Sequence, residues 1–191
     1  EEVKKDMPFY ENSNGGVTLS GGEPTMQPEF CIAVLAECKK ANMHTALDTS
    51  GFVKTEILTE ILKYVDLVLY DIKHTDPEKH KKYTGVSNEL ILYNLQHINN
   101  MEIPIEIRLP TIPNINDSDE NFSEVAKLVN NLNSIERVRL LPYHRLGEGK
   151  YERLEMEYKL KGLESPNKVR MEELVEILKS KLTRDIPVSA S

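Results

Sequence analysis

The chain has 191 residues, of which 39% are hydrophobic and 29% are charged, and its formal net charge is −7 at pH 7. This length and composition are typical of one globular domain that buries a sizeable core, and they exclude a disordered or repetitive chain. The acidic balance argues against general nucleic-acid binding, since no basic run is interleaved with aromatic residues, and no apolar run approaches membrane-spanning length.

Strand-like and helix-like patterns alternate along the chain. Strand-like patterns predict five strands, at 17–20, 44–48, 67–73, 103–109 and 137–143. Apolar residues spaced three and four positions apart predict helices near 28–41, 57–62, 76–85, 91–98, 117–132 and 171–182. Two helix starts have capping residues, since Asp76 precedes Pro77 and Asp117 has Glu120 three positions later. Gly85 is expected to end the helix that begins at Asp76.

The connections between the strands are long enough for helices, which indicates a parallel sheet. The pattern alone allows either an open doubly wound sheet or part of a (β/α) barrel. Side-chain alternation separates Ile105 and Ile107 from Glu106 and Arg108, so one sheet face is polar near its carboxyl ends. A doubly wound sheet needs apolar residues on both faces, whereas the mouth of an incomplete barrel holds polar groups around a ligand. We therefore expect an α/β fold with a partial, TIM-like barrel.

The first predicted strand runs into the sequence GGEPT, from Gly21 to Thr25. The two glycines allow the main chain to pass close to a ligand, and Glu23 places a carboxylate beside that bare backbone. A simpler interpretation is a strand-to-helix turn whose glycines only adopt positive φ and whose Glu23 lies at a helix entry ahead of Pro24. The motif alone leaves both interpretations open.

Polar residues also follow the other predicted strands. They are Asp48 and Thr49, Asp71 and Lys73, Arg108, and His144. Taken singly, each is explained as a helix cap, a turn residue, a backbone-bonded histidine or a solvated loop charge. Five strands that end in the same way favour one shared site at the carboxyl edge of the sheet. Two carboxylates beside Lys and Arg suit a small ligand that carries both an amine and a carboxylate, or a bound cation.

The two cysteines, Cys31 and Cys38, fall with Val34 and Leu35 on the apolar stripe of one predicted helix. We therefore expect them to be core thiols. A metal or cluster site needs a tighter grouping such as CxxC, and a disulfide cannot join residues two helical turns apart. The sequence also begins without the pattern of a secretion signal, so a cytoplasmic location is expected.

Several segments together resemble a known family. They are GGVTLSGGEPTMQPEF, HTALDTSGF, VDLVLYDIKH, YTGVSN, RLPTIPNIND, RLLPYHRLGEGKY and EYKLKG, between about Glu1 and Thr183. In order and spacing they resemble the radical S-adenosylmethionine (SAM) proteins, and among them the activating enzymes of glycyl-radical enzymes. The resemblance implies a partial (β/α)6 barrel, of which residues 1–191 form a single core domain with five of the six β/α units.

The resemblance also implies contacts with the cofactor. Gly21, Gly22 and Glu23 match the segment that holds the amino group of SAM. Lys73 matches the lysine near the carboxylate of SAM, and His144 matches the histidine near its nucleoside. These residues are therefore expected to line one cofactor cleft.

A cation site and a substrate contact are implied in the same way. Asp48, Thr49 and Asp71 match positions associated with a monovalent cation beside the cofactor, and Asp48 and Thr49 are expected to border the cofactor itself. Arg108 matches an arginine of the cleft for the cofactor and the peptide substrate. No catalytic residue is expected within this chain.

In this family a 4Fe–4S cluster, reduced by a donor such as flavodoxin or ferredoxin, cleaves the sulfonium of SAM. The 5′-deoxyadenosyl radical then removes a hydrogen atom from a glycine of the partner glycyl-radical enzyme. The family's cluster cysteines have the spacing CxxxCxxC, which this sequence lacks. We therefore expect an N-terminally truncated fragment that lacks the cluster strand and loop and is inactive alone.

Two other functions compete with this interpretation. One is a barrel without a cluster that binds a partner protein or a nucleotide and performs no redox chemistry. The other is a cation-assisted hydrolase that uses Asp48 and Asp71, although the sequence offers neither an activated nucleophile nor a metal-binding histidine pair.

Overall fold

The computed structural model describes residues 2–13, 15–144, 160 and 162–190. Within these ranges the strands are β1 (Gly16–Leu19), β2 (His44–Thr49), β3 (Leu67–Asp71), β4 (Ile105–Thr111), β5 (Ile135–Pro142) and β6 (Val188–Ala190). The helices are α1 (Met7–Ser13), α2 (Pro28–Lys40), α3 (Thr55–Leu62), α4 (Pro77–Thr84), α5 (Glu89–Asn100), α6 (Asp119–Asn130) and α7 (Lys168–Lys181). Short 3-10 helices cover Glu2–Asp6 and Pro24–Met26. None of these helices is long and apolar enough to cross a membrane.

The strands form one parallel sheet in the order of the chain. Helical crossovers connect β1 through β5, as parallel pairing requires. In the described part of the chain β1 pairs only with β2, and β6 pairs only with β5, so the sheet stays open at both edges. The predicted α/β fold with a partial barrel is confirmed.

The sheet contains β6 in addition to the strands that the sequence predicts. This strand has three residues, and its first residue, Val188, pairs with Val138 of β5. Val188 alone is buried among the three, so no alternating pattern marks the strand in the sequence. Pairing with β5, rather than a pattern in its own three residues, therefore identifies this segment as a strand.

One hydrophobic core fills the space between the sheet and the helices. Alternate strand residues point into it, including Leu47, Val68, Tyr70, Ile105, Ile107, Val138 and Leu140. Helix residues cover them, including Leu35, Leu58, Ile61, Leu95, Ile98, Phe122 and Leu174. The intervening strand residues Asp48, Asp71 and Arg108 are only half-buried, because alternate side chains of a strand face opposite sides of the sheet. The predicted polar face is therefore present.

The helix caps agree with the sequence in one case and differ in another. Asp76 caps α4 by accepting a hydrogen bond of 2.8 Å from the amide of Lys79, as predicted. Asp117 does not cap α6, because Ser118 accepts the bond from the amide of Asn121. The Asp117 carboxylate instead accepts a bond from the amide of Asn114, which closes the preceding turn. The predicted cap was wrong by one position, because Asp117 and Ser118 are adjacent and both residue types commonly cap helices.

The turn after β2 depends on a glycine. Gly51 has a φ of +74°, and a Cβ at this position would overlap the Tyr70 hydroxyl. That hydroxyl is buried and donates a hydrogen bond of 2.6 Å to the carbonyl of Ile91. Asn94 of α5 donates bonds of 2.8 Å to the carbonyls of Gly51 and Val53. The turn is thus held between the sheet and α5.

Gly51→Ala is expected to lower the free energy of unfolding by about 2–4 kcal/mol, because it adds a steric overlap to an unfavourable φ. Gly85→Ala is the matched control, since its φ is +90° but its Cβ would meet no atom within 4 Å. The control is expected to cost about 1 kcal/mol. Urea unfolding followed by circular dichroism measures both, and equal losses would contradict the proposed role of the Tyr70 contact.

Candidate functional site

The carboxyl ends of the first five strands carry the residues that the sequence predicts for the site. Gly21, Gly22 and Glu23 follow β1, Asp48 and Thr49 end β2, Asp71 ends β3 with Lys73 two residues later, Arg108 lies in β4, and His144 follows β5. Hydrogen bonds, an ion pair or charge interactions connect the groups from β1 to β4. Among the described residues, none of these groups bonds to the exposed His144.

Glu23 joins the loops that follow β1 and β2. One carboxylate oxygen accepts bonds from the amide and hydroxyl of Thr25, at 3.3 and 2.8 Å, and from the Thr49 hydroxyl at 2.7 Å. The other accepts from the amide and hydroxyl of Ser50, at 2.9 and 2.6 Å. Burial raises the pKa of Glu23, but these bonds outweigh burial and hold the pKa below its usual value. The carboxylate is therefore ionised, and its acceptor positions are occupied.

The glycines before Glu23 leave the main chain accessible. Gly21 has a φ of +140°, which residues with a side chain rarely adopt. A Cβ at Gly21 or Gly22 would meet no atom within 4 Å. Both interpretations of the motif thus have support, because the turn needs glycine and the space beside it is open.

Asp48 and Arg108 form an ion pair across the sheet. The distance between Asp48 Oδ2 and Arg108 Nη1 is 2.8 Å, and the side chains are 21% and 24% exposed. Arg108 reaches over β3 to make this contact, because β3 lies between β2 and β4. Ser20 donates a bond of 2.8 Å to the same Asp48 oxygen. Sequence analysis did not assign Ser20 to the site, although its place on the polar face of the first strand was a usable signal.

Thr49 bonds within the loops that follow β1 and β2. Its side chain is 2% exposed, and its hydroxyl donates to Glu23 and accepts from the amide of Gly51 at 3.0 Å. One lone pair of this hydroxyl oxygen stays without a bond from the described residues. Within the described ranges, no three His, Cys, Asp or Glu side chains are grouped closely enough to hold a metal ion.

Asp71 is the carboxylate of the site that accepts no hydrogen bond from any described residue. It pairs in register with Arg108, yet no group of the described residues donates a hydrogen bond to it. Burial raises the pKa of Asp71 to about 6. The positive charges of Lys73 and Arg108 oppose this rise, and the negative charges of Asp48 and Glu23 add to it. A ligand or ion with positive charge would stabilise the ionised form.

Lys73 is exposed and makes no ion pair with any described residue. Its main-chain carbonyl, in contrast, accepts a hydrogen bond of 2.7 Å from the side chain of Asn116. Within the described ranges no carboxylate therefore competes with a ligand for the ammonium group, while the backbone that carries it is bonded.

A groove of about 370 Å³ lies on the polar face of the sheet. Its lining includes Arg108 and the apolar residues Ala46 and Leu69. Glu106 and Arg139 also line it, joined by an ion pair with 3.0 Å between Oε1 and Nε. Charged groups therefore border this groove as well as the carboxyl edge.

The cysteines are free and buried in α2, as predicted. Cys31 is fully buried, and burial, with a further contribution from the charge of Glu23, raises its pKa to about 11. Burial also raises the pKa of Cys38. Thiols with raised pKa values that face the core are unsuited to bind iron, because the thiolate is the ligand.

Comparison with known proteins places these observations in a family. Residues 1–126 match the sequence profile described as the Radical SAM superfamily. The chain is 42% identical over 165 residues to the choline trimethylamine-lyase activating enzyme of Oleidesulfovibrio alaskensis, covering 85% of this chain and 53% of that protein. It is 42% identical over 186 residues to the pyruvate formate-lyase-activating enzyme of Clostridium pasteurianum, covering 95% and 78%. The chain thus spans about half the length of the first of these relatives.

A solved structure is also similar. It is a domain of pyruvate-formate lyase-activating enzyme from Bacteroides vulgatus, with a TM-score of 0.76 and 29% sequence identity. The match covers 93% of this chain and 99% of that chain. The similarity therefore extends over almost the whole of both chains.

Asp71→Asn is expected to stabilise the chain at pH 7.5 by about 1–3 kcal/mol, from roughly 1.4 kcal/mol per unit of pKa. In the folded chain the pKa of Asp71 is about 6, whereas the ordinary pKa of an aspartate, which applies in the unfolded chain, is 3.8. The unfolded chain therefore binds fewer protons between these values, and stability falls as the pH rises through them. The advantage of the variant should vanish below about pH 4.

Thermal unfolding of both proteins from pH 3.5 to 8 measures this difference. Asp66→Asn is the control of opposite sign, since bonds from Lys39 and Thr45 outweigh burial and lower the pKa of Asp66. It should destabilise the chain at neutral pH and less so in acid. An advantage of Asp71→Asn that does not change with pH would contradict the raised pKa.

Proposed function

The chain belongs to the radical SAM superfamily, and we propose that it forms the SAM-binding part of an activating enzyme for a glycyl-radical enzyme. The observation that carries this proposal is the arrangement of charge at the carboxyl edge of the sheet. Asp71 has no bonded partner among the described residues, and it lies within electrostatic reach of Lys73 and of the ion pair between Asp48 and Arg108. An amino acid with both charges fits such a site.

The residues present fit the amino-acid group of SAM. Its carboxylate needs a cation with free donors, which the exposed Lys73 supplies. Its amine needs acceptors, and the open main chain at Gly21 and Gly22 together with Asp71 supplies these. When bound, SAM provides the 5′-deoxyadenosyl group as a radical source. Glu23 acts on the amine indirectly, because its occupied carboxylate shapes the loop that carries the two glycines.

Other parts of the proposal concern the rest of the cleft. His144 is assigned to the nucleoside, supported by its position just after β5. Arg108 is assigned to the border between cofactor and peptide substrate, where its ion pair with Asp48 fixes its direction. A monovalent cation at Asp48, Thr49 and Asp71 would balance the two carboxylates.

The residues do not fit a 4Fe–4S cluster. The chain has two cysteines, and both are buried on the core side of α2. Ligands for a cluster would therefore have to come from outside residues 1–191, which we assign to a single core domain. The radical chemistry, the glycine loop of the partner enzyme, an electron donor such as flavodoxin or ferredoxin, and a cytoplasmic location belong to the proposal for the longer protein.

The competing functions have less support. A binding module without redox chemistry is not favoured, since the relatives at 42% identity are activating enzymes. A hydrolase would need a nucleophile at the carboxylates, but Ser20 donates its hydroxyl to Asp48 and Ser50 donates its hydroxyl to Glu23. Neither hydroxyl is paired with a histidine base in the described part of the site.

Lys73→Met is expected to weaken binding of S-adenosylhomocysteine to the 191-residue chain about tenfold, because it removes one charge-assisted hydrogen bond to the ligand carboxylate. Lys127→Met is the matched control, since Lys127 is exposed on α6 and Glu124 is its one ion-pair partner among the described residues. NMR titration measures both affinities. An unchanged affinity in Lys73→Met would remove Lys73 from the site.

Anaerobic incubation of the chain with iron and sulfide is expected to produce no stoichiometric cluster, because both thiols are buried. Absorbance and iron counting measure the outcome. The double variant Cys31→Ser, Cys38→Ser sets the background. A cluster in the unaltered chain that disappears in this variant would contradict the assignment of both cysteines to the core.

A further inference from the structure

Three buried asparagines surround the segment that follows β3. Asn88, Asn116 and Asn121 are 2%, 5% and 8% exposed, and together they are called the asparagine clamp. Residues 72–75 are called the Lys73 loop. A buried amide is costly unless its donors and acceptor are bonded, so the partners of the clamp show what it holds.

Asn116 joins the Lys73 loop to the end of β4. Its amide nitrogen donates to the carbonyl of Lys73 at 2.7 Å and to the carbonyl of Pro110 at 2.6 Å. Its oxygen accepts from the amide of Ile112 at 2.7 Å. One side chain therefore bonds two chain segments that the parallel ladder no longer connects.

Asn88 and Asn121 hold the next residues. Asn88 donates to the carbonyls of His74 and Thr75, at 3.0 and 2.8 Å. Asn121 accepts from the amide and the hydroxyl of Thr75, at 3.2 and 2.8 Å. It also donates to the carbonyl of Asn116 at 2.8 Å. Three successive carbonyls of the Lys73 loop thus accept bonds from the clamp, and two clamp members are bonded to each other.

The bonding contrasts with the freedom of the lysine side chain. Lys73 itself is exposed and makes no ion pair with a described residue, so its ammonium depends on the backbone for its position beside Asp71. A fixed backbone reduces the conformational entropy that is lost when the ammonium meets a ligand.

We propose that the asparagine clamp is a positioning device for Lys73, which holds the ammonium where the carboxylate of an amino-acid ligand binds. The inference rests on the proposed function, and it adds three positioning residues to it. Asn116 has the central place, because it bonds the Lys73 carbonyl directly and receives the bond from Asn121.

The test uses the 191-residue chain and two ligands. S-adenosylhomocysteine contains the amino-acid group, and 5′-methylthioadenosine lacks it. Asn116→Ala is expected to weaken binding of the first ligand about tenfold, as the loss of one charge-assisted bond would, and to leave binding of the second unchanged. Asn99→Ala is the matched control, because Asn99 bonds the amides of Asn133 and Ser134 before β5, at the opposite end of the strands. It should change neither affinity.

A double-mutant cycle separates positioning from general stability. In a Lys73→Met background, Asn116→Ala is expected to cause no further loss of S-adenosylhomocysteine affinity, since an effect that acts through Lys73 disappears with it. Equal weakening of both ligands, or the same loss with and without Lys73, would overturn the proposal and leave the clamp a structural role only.

A milder variant covers the case in which Asn116→Ala does not fold. Thr75→Val keeps the shape of the side chain and removes one hydroxyl bond to Asn121, with an expected loss of about two- to threefold for S-adenosylhomocysteine alone. An unaltered chain that binds both ligands equally would overturn the proposed function and the clamp's role together. If the unaltered chain clearly prefers S-adenosylhomocysteine to 5′-methylthioadenosine and none of the clamp variants changes that preference, only the clamp's role would be overturned.

Discussion

Backbone groups at the carboxyl ends of the strands impose the constraint on which the site depends. A parallel ladder bonds N–H and C=O groups only where both strands continue, and buried groups beyond that point need other partners. Polar side chains supply them here. Glu23 bonds the amide of Ser50, and Asn94 bonds the carbonyl of Gly51. The asparagine clamp does the same for the Lys73 loop, where the carbonyls of Lys73, His74 and Thr75 all accept side-chain bonds.

The three carboxylates of the site have different electrostatic surroundings. Neutral donors surround Glu23, and a guanidinium and a hydroxyl bond Asp48. In the part of the chain that the structure describes, Asp71 interacts with charged groups but accepts no hydrogen bond, and burial raises its pKa to about 6. A carboxylate that is desolvated without a bonded partner is destabilised in its ionised form. The site therefore favours an incoming cationic group at Asp71 rather than at the other two.

Local periodicity accounts for much of the fold that the sequence could predict. Alternation along β4 separates the core-facing Ile107 from Arg108, and the Asp76 cap and Gly85 end of α4 are short-range features. β6 escaped prediction because a single buried residue carries no period. Ser118 rather than Asp117 caps α6, because both residue types can cap a helix and the geometry of the preceding turn determines which one does.

The candidate site shows the same limit over longer distances. Strand-end position brought Asp48, Asp71 and Arg108 to one edge, since parallel strands all end on the same side. The ion pair across β3 and the bond from Asn116 to Lys73, 43 residues away, depend on how the loops fold back, and no pattern in the sequence reports this. An asparagine in a loop looks the same in the sequence whether it bonds two strands or faces water.

The edge strand β1 shows what this bonding implies for the open side of the sheet. Only four residues long, it contacts β2 so closely that a Cβ at Gly16 would overlap the main chain of His44. Beyond its carboxyl end, bonds from Ser20 to Asp48 and from Ser50 to Glu23 tie the chain to β2. A further strand that paired with β1 would bond to a backbone that is already held in place. Nearly all the conformational entropy lost on pairing would therefore be that of the added strand.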